Sequence, residues 1–465
     1  MTVAIPPLTP ADAPPTTPVD GSFRDVLASV DQRGRRKHPR ARILPGRWRR
    51  RRQLLALGLI GFYFALPFLR LHGHAFIHGD LLHGQGFVLG RVIAPSDLLF
   101  LVLAAQTAIF TIMLATNLAG RVFCGWFCPQ TVFLEMLVRP IESLITAHGR
   151  KRGLARRMAV WGFSALIAGA LANSVTALFI GLDGFRYGVI VDPVAHPGAA
   201  LFWAVIAGFL LFDFVWFREQ VCTIVCPYGR LHSMMTDANT PVVAYDRARG
   251  EPRGKPSARA AGKAGDCVDC RLCLDVCPTG IDIRNGNQLE CTHCTACMDA
   301  CDGVMAQLGH PGGLIRHLSE NAQAGRPVRR FSARTVIVSV VLAALATIAG
   351  ILLWNRPAVS AVALRTDAMA VGGVDGDRAV VRQIVRLSLA NRTEDVLVPV
   401  YRIADLPSAC VIPQRPDAEL AAASRAEVTL LIETPAADLD RNRTVDLAVA
   451  TAAGETHVPL TLRQP

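Results

Sequence analysis

The chain has 465 residues, 51% of them hydrophobic, and sets 49 Lys and Arg against 37 Asp and Glu, for a formal net charge of +12. That length leaves room for several domains, and the apolar composition excludes one large soluble core as the whole of the fold. Thirteen cysteines would suit a disulfide scaffold only in a small secreted chain; here twelve fall in tight C-x2-C or C-x3-C groups, which points to metal ligands in a reducing compartment.

Residues 1–53 show no apolar period. The first twenty are rich in Pro and Thr, and eleven Lys or Arg lie between Arg33 and Arg52, so the segment reads as disordered and then juxtamembrane. The basic run either enforces orientation or binds anionic lipid heads, and orientation is the plainer account. The first apolar run begins only near residue 54, too late for a cleavable signal peptide.

Five apolar runs follow, at 54–71, 93–118, 158–180, 199–217 and 335–354, each about the 17 to 25 residues a membrane helix needs. The second contains Pro95 and Asp97 near its start. Lys and Arg number twelve before the first run, one in 72–91, seven in 119–157, one in 181–198 and fifteen in 218–334. This alternation accounts for the basic charge without a nucleic-acid partner. It places the N-terminus, the Cys128 loop and 218–334 in the cytoplasm, and the short loops and 355–465 outside. The tail beyond 355 holds short β-rich runs separated by Gly, Pro, Asp and Asn, the pattern of a small β-sandwich. The fold class is therefore a multi-domain α+β membrane protein, with a basic segment 1–53, a four-helix membrane domain 54–217, an iron–sulfur domain 218–334, a fifth span 335–354 and a β-sandwich 355–465.

Eight cysteines carry the clearest chemistry. Cys267, Cys270, Cys273 and Cys277, followed by Pro278, form a C-x2-C-x2-C-x3-C-P run. Cys291, Cys294, Cys297 and Cys301 repeat the spacing, with Asp302 in place of the proline. In bacterial ferredoxins such a run wraps three corners of a [4Fe-4S] cluster and sends its fourth cysteine to the other cluster. The expected sets are Cys267, Cys270, Cys273 and Cys301, and Cys291, Cys294, Cys297 and Cys277. Structural zinc is the alternative, but zinc gains nothing from a third C-x2 step. Two more pairs, Cys124 with Cys128 and Cys222 with Cys226, each read C-x3-C-P just past an apolar run. The spacing predicts both thiols of a pair on one helix face, and the repetition suggests an internal repeat whose four thiols meet. Cu(I) binding or dithiol–disulfide cycling would suit them, with inert cysteine as the plain alternative.

The runs "YDRARGEPRG", "GDCVDCRLCLDVCPTGIDIRNG" and "ECTHCTACMDACDGVM", with "FCGWFCPQTV" and "VCPYGRLHSMMTD", closely resemble the cytochrome c oxidase accessory proteins called CcoG, FixG or RdxA. The resemblance covers about residues 50–465 and is most specific in 118–140 and 218–315. It implies an inner-membrane polyferredoxin with two [4Fe-4S] clusters and an outward Ig-like domain, which reduces Cu(II) to Cu(I) for assembly of a cbb-type oxidase. Its implied partners are that oxidase, its copper-delivery proteins and an electron donor, with membrane lipid around the helices and no nucleic acid.

Weaker signals remain. His72, His74, His78 and His83 crowd one outer loop, as a copper landing site or as ordinary interfacial histidines. Asp213 lies inside the fourth run, to relay protons, to contact a quinol, or simply to pair with Arg218. Cys410 stands alone and external; it could pair with another chain, though a simple buried cysteine is the plainer reading. Beside the cupric reductase, two other functions fit: a quinol-linked electron-transfer ferredoxin, and a non-catalytic assembly scaffold.

Overall fold

The computed structural model describes residues 28, 41–71, 74–80, 85–88, 91–93, 97–147, 153–229, 235–260, 262, 264–329, 331–375, 378–393, 395–415, 419–421, 424–438 and 442–463. Its longest described helices are α1 (Arg47–Ala65), α2 (Leu98–Ala119), α3 (Leu154–Phe185), α4 (Pro197–Phe212), α5 (Ala296–Gln307) and α6 (Ala333–Trp354). Among the described residues four helical stretches are long and apolar enough to cross a membrane: Leu99–Ala119, Leu154–Val191, Pro197–Phe217 and Ala333–Trp354. They leave large apolar side chains uncovered, among them Leu99, Leu201, Ile337 and Val340, as lipid-facing helices do.

The first expected run is not one helix over 54–71. Helix α1 starts at Arg47, inside the basic segment, and ends at Ala65; a 3-10 turn at Leu66–Phe68 follows, then a short strand at Arg70–Leu71. Pro67 removes an N–H donor and helps end the helix, so only part of the apolar run is helical. The second run likewise starts late: residues 91–93 are a strand and the helix begins at Leu98. Helix α3 is broken at Gly181, whose φ of 78° and ψ of 163° are open only to glycine at little strain.

The chain divides into two compact units. The first comprises Met1–Phe64, Gln106–Asn173 and Leu201–Ala344. Its helices bury Phe133, Leu134, Val138, Ile167, Leu171 and Phe214 together. The cysteine-rich part is closed by two antiparallel strands, Val242–Tyr245 and Ile315–Leu318, paired Tyr245 to Ile315. Val243, Leu272, Ile283, Met298, Met305 and Leu314 fill the core beneath them.

The second unit comprises Ala65–Ala105, Ser174–Ala200 and Leu345–Pro465. Its tail forms β1 (Val359–Asp375), β2 (Arg378–Asn391), β3 (Val400–Ile403), β4 (Cys410–Pro413), β5 (Arg425–Pro435), β6 (Asn442–Thr451) and β7 (Gly454–Arg463). These make one sheet ordered β4-β5-β2-β1 and a second ordered β3-β6-β7. Leu387, Leu389, Leu430 and Ile432 from the first sheet pack with Leu447, Val449, Leu460 and Leu462 from the second, so the tail is a two-sheet antiparallel sandwich. Strand β1 has no counterpart in the sequence reading, because its Ala, Gly and Asp content hides its alternation. Asp97, buried before α2, accepts from Arg356 and Arg392 at 2.5 Å each. The acid that blurred the second run therefore caps a buried ionic triad. Cys410 is exposed rather than buried: β4 is an edge strand, and alternation turns Cys410 and Ile412 outward.

Candidate functional site

The two cysteine runs fold alike. Asp269 and Arg271, on either side of Cys270, take left-handed backbones with φ of 52° and 57°; His293 and Thr295 do the same around Cys294, with φ of 54° and 61°. Non-glycine residues seldom adopt this conformation, and two per loop coil the chain tightly about the middle cysteine. A helix follows each loop, Leu272–Asp275 in the first and α5 in the second. Arg284 holds the first loop, with Nε 2.8 Å and Nη2 2.7 Å from the Asp282 carboxylate and Nη1 on Asp269.

Cys301, on α5, lies among Cys267, Cys270 and Cys273, close enough for their charges to interact. Cys277, from the first run, lies among Cys291, Cys294 and Cys297. A small cavity opens against the second group, lined by Cys277, Cys291, Cys294 and Cys297 and reaching Cys273. Among the described residues no three His, Cys, Asp or Glu side chains converge on the point a single metal ion would occupy. Burial pushes the thiols of Cys291 and Cys301 up to about 12 and that of Cys297 well up. Thiols this hard to ionise become ligands only where a cation replaces the proton.

A thiolate-held iron–sulfur cluster is an anion, so the fit can be tested on the charge nearby. Arg121 and Arg52 are 3% and 5% exposed. Arg121 Nη1 donates to the Leu289 carbonyl and, at 3.1 Å, to the Cys291 carbonyl; Arg52 Nη1 donates to the Cys294 carbonyl at 2.9 Å. Among the described residues neither guanidinium meets a carboxylate. A buried, unpaired cation is costly, and an anionic group in the loop between them supplies what they lack. The residues present fit [4Fe-4S] clusters.

The two C-x3-C-P motifs form a second assembly. Each is a single π-turn, Phe123–Phe127 or Val221–Val225, followed by an extended cysteine: Cys128 at φ −63°, ψ 125° and Cys226 at φ −65°, ψ 114°. The residue before a proline is driven out of the helical region, so Cys128 and Cys226 leave the helix instead of sharing a face with Cys124 and Cys222. The expectation of one helix face per pair is corrected on that ground. The repetition of the device is real, and Cys124, Cys128, Cys222 and Cys226 interact with one another. Burial lifts Cys124 to about 11 and Cys222 to about 12, with Arg121 opposing both.

This thiol quartet is seated on the second cysteine loop. A Cβ on Gly125, between Cys124 and Cys128, would lie 2.6 Å from the Thr292 carbonyl oxygen and 2.8 Å from that of His293. Glycine is required for that approach. Arg52 closes the contact by bonding the Gly125 carbonyl at 3.0 Å as well as that of Cys294. The Arg121 amide donates to His293 Nδ1 at 3.1 Å, and Arg121 Nη2 donates to the Gly229 carbonyl, just past Cys226, at 3.0 Å. Arg139, also buried, pairs with Glu135 at 2.7 Å and with Glu219, and donates to the Pro278 carbonyl at 3.3 Å. Sequence reasoning missed Arg52, Arg121, Gly125, Arg139 and His293. The signal was adjacency: Arg121, Gly125 and His293 lie within three residues of a motif cysteine.

The remaining candidates do not join this site. His72 and His83 lie outside the described residues. His74 and His78 both stack on Phe87, with ring centroids 5.2 and 6.2 Å away. Asp213 is 3% exposed and its Oδ1 has no hydrogen-bond partner. Arg218 pairs with Glu142 at 2.8 Å, and among the described residues it makes no ion pair with Asp213.

Residues 217–320 match a 4Fe-4S dicluster domain family and residues 100–154 a 4Fe-4S binding domain family. The nitrogen fixation protein FixG of Rhizobium meliloti is 33% identical over 327 residues, 63% of this chain and 60% of FixG, so the match spans about three-fifths of that relative's length. Protein RdxA of Cereibacter sphaeroides is 33% identical over 333 residues, 66% of this chain and 69% of RdxA. The ferredoxin-type protein NapH of Haemophilus influenzae is 24% identical over 262 residues, half of this chain and 85% of NapH. With its cysteine loops and apolar helices, the chain belongs to the FixG/RdxA family of membrane-associated, ferredoxin-type iron–sulfur electron-transfer proteins.

Proposed function

We propose that the chain is a cupric reductase, delivering single electrons to Cu(II) so that Cu(I) can be inserted into a cbb-type cytochrome oxidase. Cys267, Cys270, Cys273 and Cys301 hold one [4Fe-4S] cluster; Cys291, Cys294, Cys297 and Cys277 hold the other. Bound there, the pair supplies storage for two electrons at one-electron steps. Cys124, Cys128, Cys222 and Cys226 supply the thiols at which copper is reduced: Cu(II) takes one electron, and binding by soft sulfurs taken from this set favours the Cu(I) product. The Lys and Arg asymmetry supports five spans in a bacterial inner membrane, with the cysteine loops cytoplasmic and the sandwich an Ig-like periplasmic domain facing the oxidase and its copper-delivery proteins.

The observation that carries this reading is the seating of the thiol quartet against the Cys291–Cys297 loop through Gly125, Arg121 and Arg52. The test is anaerobic. Purified chain with reduced clusters is mixed with Cu(II), and cluster absorbance and chelated Cu(I) are followed together. One Cu(I) per electron lost, abolished by Cys124→Ser with Cys128→Ser while both clusters persist, is the expected result. Clusters that stay reduced beside Cu(II) overturn it. A scaffold role without electron transfer is refuted if Cys270→Ser remains in the membrane while oxidase activity is lost.

A quinol-linked electron-transfer role is the second reading, favoured by Asp213, a buried acid with an unpartnered oxygen within an apolar span. Reduction of the clusters by a quinol, slowed at least tenfold in Asp213→Asn, with Cu(II) inert, selects it.

A further inference from the structure

Arg121 bridges the second cysteine loop and the thiol quartet. Its guanidinium donates to the carbonyls of Leu289 and Cys291 on the second cysteine loop and to Gly229 behind the second C-x3-C-P motif. It lies beside Cys124, and its charge reaches Cys222 and Cys291. Its own amide is fixed by His293. Gly229 is held to this approach, since a Cβ there would lie 2.5 Å from the Cys222 carbonyl oxygen and 3.0 Å from Arg121 Nη2. The side chain is 3% exposed and its Nε has no hydrogen-bond partner.

Backbone carbonyls solvate a guanidinium but do not neutralise it. Among the described residues no carboxylate pairs with Arg121, whereas Arg139 and Arg284, equally buried, each have two. A fixed arginine cannot lose its proton, so the fold keeps a full positive charge between two sets of cysteines. Negative charge on either set is stabilised by it.

We propose that Arg121 is the shared counter-cation of the two cysteine sites, a positioning residue that stabilises negative charge on the thiol quartet and on the Cys277/Cys291/Cys294/Cys297 site at once. Arg52 differs: it bonds the Gly125 carbonyl of the first C-x3-C-P motif and the Cys294 carbonyl, and among the described residues it makes no hydrogen bond to the second motif, so it reaches the loop and one half of the quartet only. The inference rests on the proposed roles of the two sites.

The test uses the full chain in detergent with its clusters intact. Both clusters are titrated redox-potentiometrically by electron paramagnetic resonance, and Cu(I) affinity is measured against a competing chelator. In Arg121→Gln the midpoint of the cluster bound by Cys291 moves to a more negative value while that of the cluster bound by Cys267 holds, and Cu(I) binding weakens at least tenfold. Arg121→Lys, which keeps the charge, restores most of both. Arg52→Gln shifts the same midpoint and leaves Cu(I) affinity within twofold. Iron content equal to wild type in each variant separates these effects from collapse of the loop. If Arg121→Gln moves both midpoints equally, moves neither, or shifts one midpoint without changing Cu(I) affinity, the shared role is wrong. If wild-type chain binds no Cu(I) and Cys124→Ser changes nothing, the copper reading fails instead, and an unmoved midpoint in Arg121→Gln then overturns the counter-cation role separately.

Discussion

Single atoms decide the junction between the two sites. A methyl group on Gly125 has no room against the Thr292 and His293 carbonyls, so Gly125→Ala forces the quartet and the second loop apart. We expect a loss of about 1–3 kcal/mol, as for overpacking elsewhere, and loss of the Cys291 cluster's paramagnetic signal before that of the Cys267 cluster. Arg139 makes a different demand. Its pairs with Glu135 and Glu219 are largely buried; Arg139→Met takes this cation from Glu135 and leaves Glu219 the longer 3.8 Å contact of Arg218, at a cost of about 3 kcal/mol, which thermal unfolding of the purified chain measures. The cysteines were legible at this scale because metal chemistry fixes their spacing. Arg52, Arg121 and Arg139 were not, because an arginine near a membrane helix reads equally well as a marker of orientation. Only tertiary packing shows which of them turn inward.

Among the elements, the sandwich is the part whose sequence pattern translates most directly. Buried residues alternate along β5 through Val428, Leu430, Ile432 and Thr434. Leu430 is fully buried, and Leu430→Ala should destabilise the second unit by about 2–5 kcal/mol, read as a lowered unfolding midpoint with both cluster signals unchanged. The Asp97 triad ties α2 to Arg356 and to Arg392 at the end of β2. Asp97→Asn leaves two buried guanidiniums sharing a neutral amide and should cost about 3 kcal/mol or more, visible as faster proteolysis of the tail. Apolar length predicted the helices well where a run stood clear of other signals, as at 335–354, which falls within α6. It failed at 54–71, where Pro67 intervened. It also could not foresee the π-turns, since a periodicity of 3.6 carries no mark of one extra residue.

For the whole chain, the raised thiols give stability a pH dependence in the metal-free protein. Cys124 lies at about 11 and Cys222, Cys291 and Cys301 at about 12 in the folded chain, above the thiol's ordinary 9.0. The folded state holds these protons more tightly, so the stabilisation is full below about pH 9 and is lost as pH rises toward 11–12. Chemical denaturation of metal-free chain should show its midpoint falling across that window. Loaded chain should not follow it, because metal has already displaced the protons; loading itself should release protons, countable with an indicator dye.

The paired π-turns also bear on ancestry. One turn, its extended cysteine and the following proline form a complete module that contributes two sulfurs, and the quartet draws on two such modules. A chain half this long, with one module, could build the same four-sulfur arrangement by associating with a second copy of itself about a two-fold axis. Fusing two copies end to end would fix that association permanently. It would also free each half to diverge, which is the condition of a chain where one module is followed by Gln130 and the other by Tyr228.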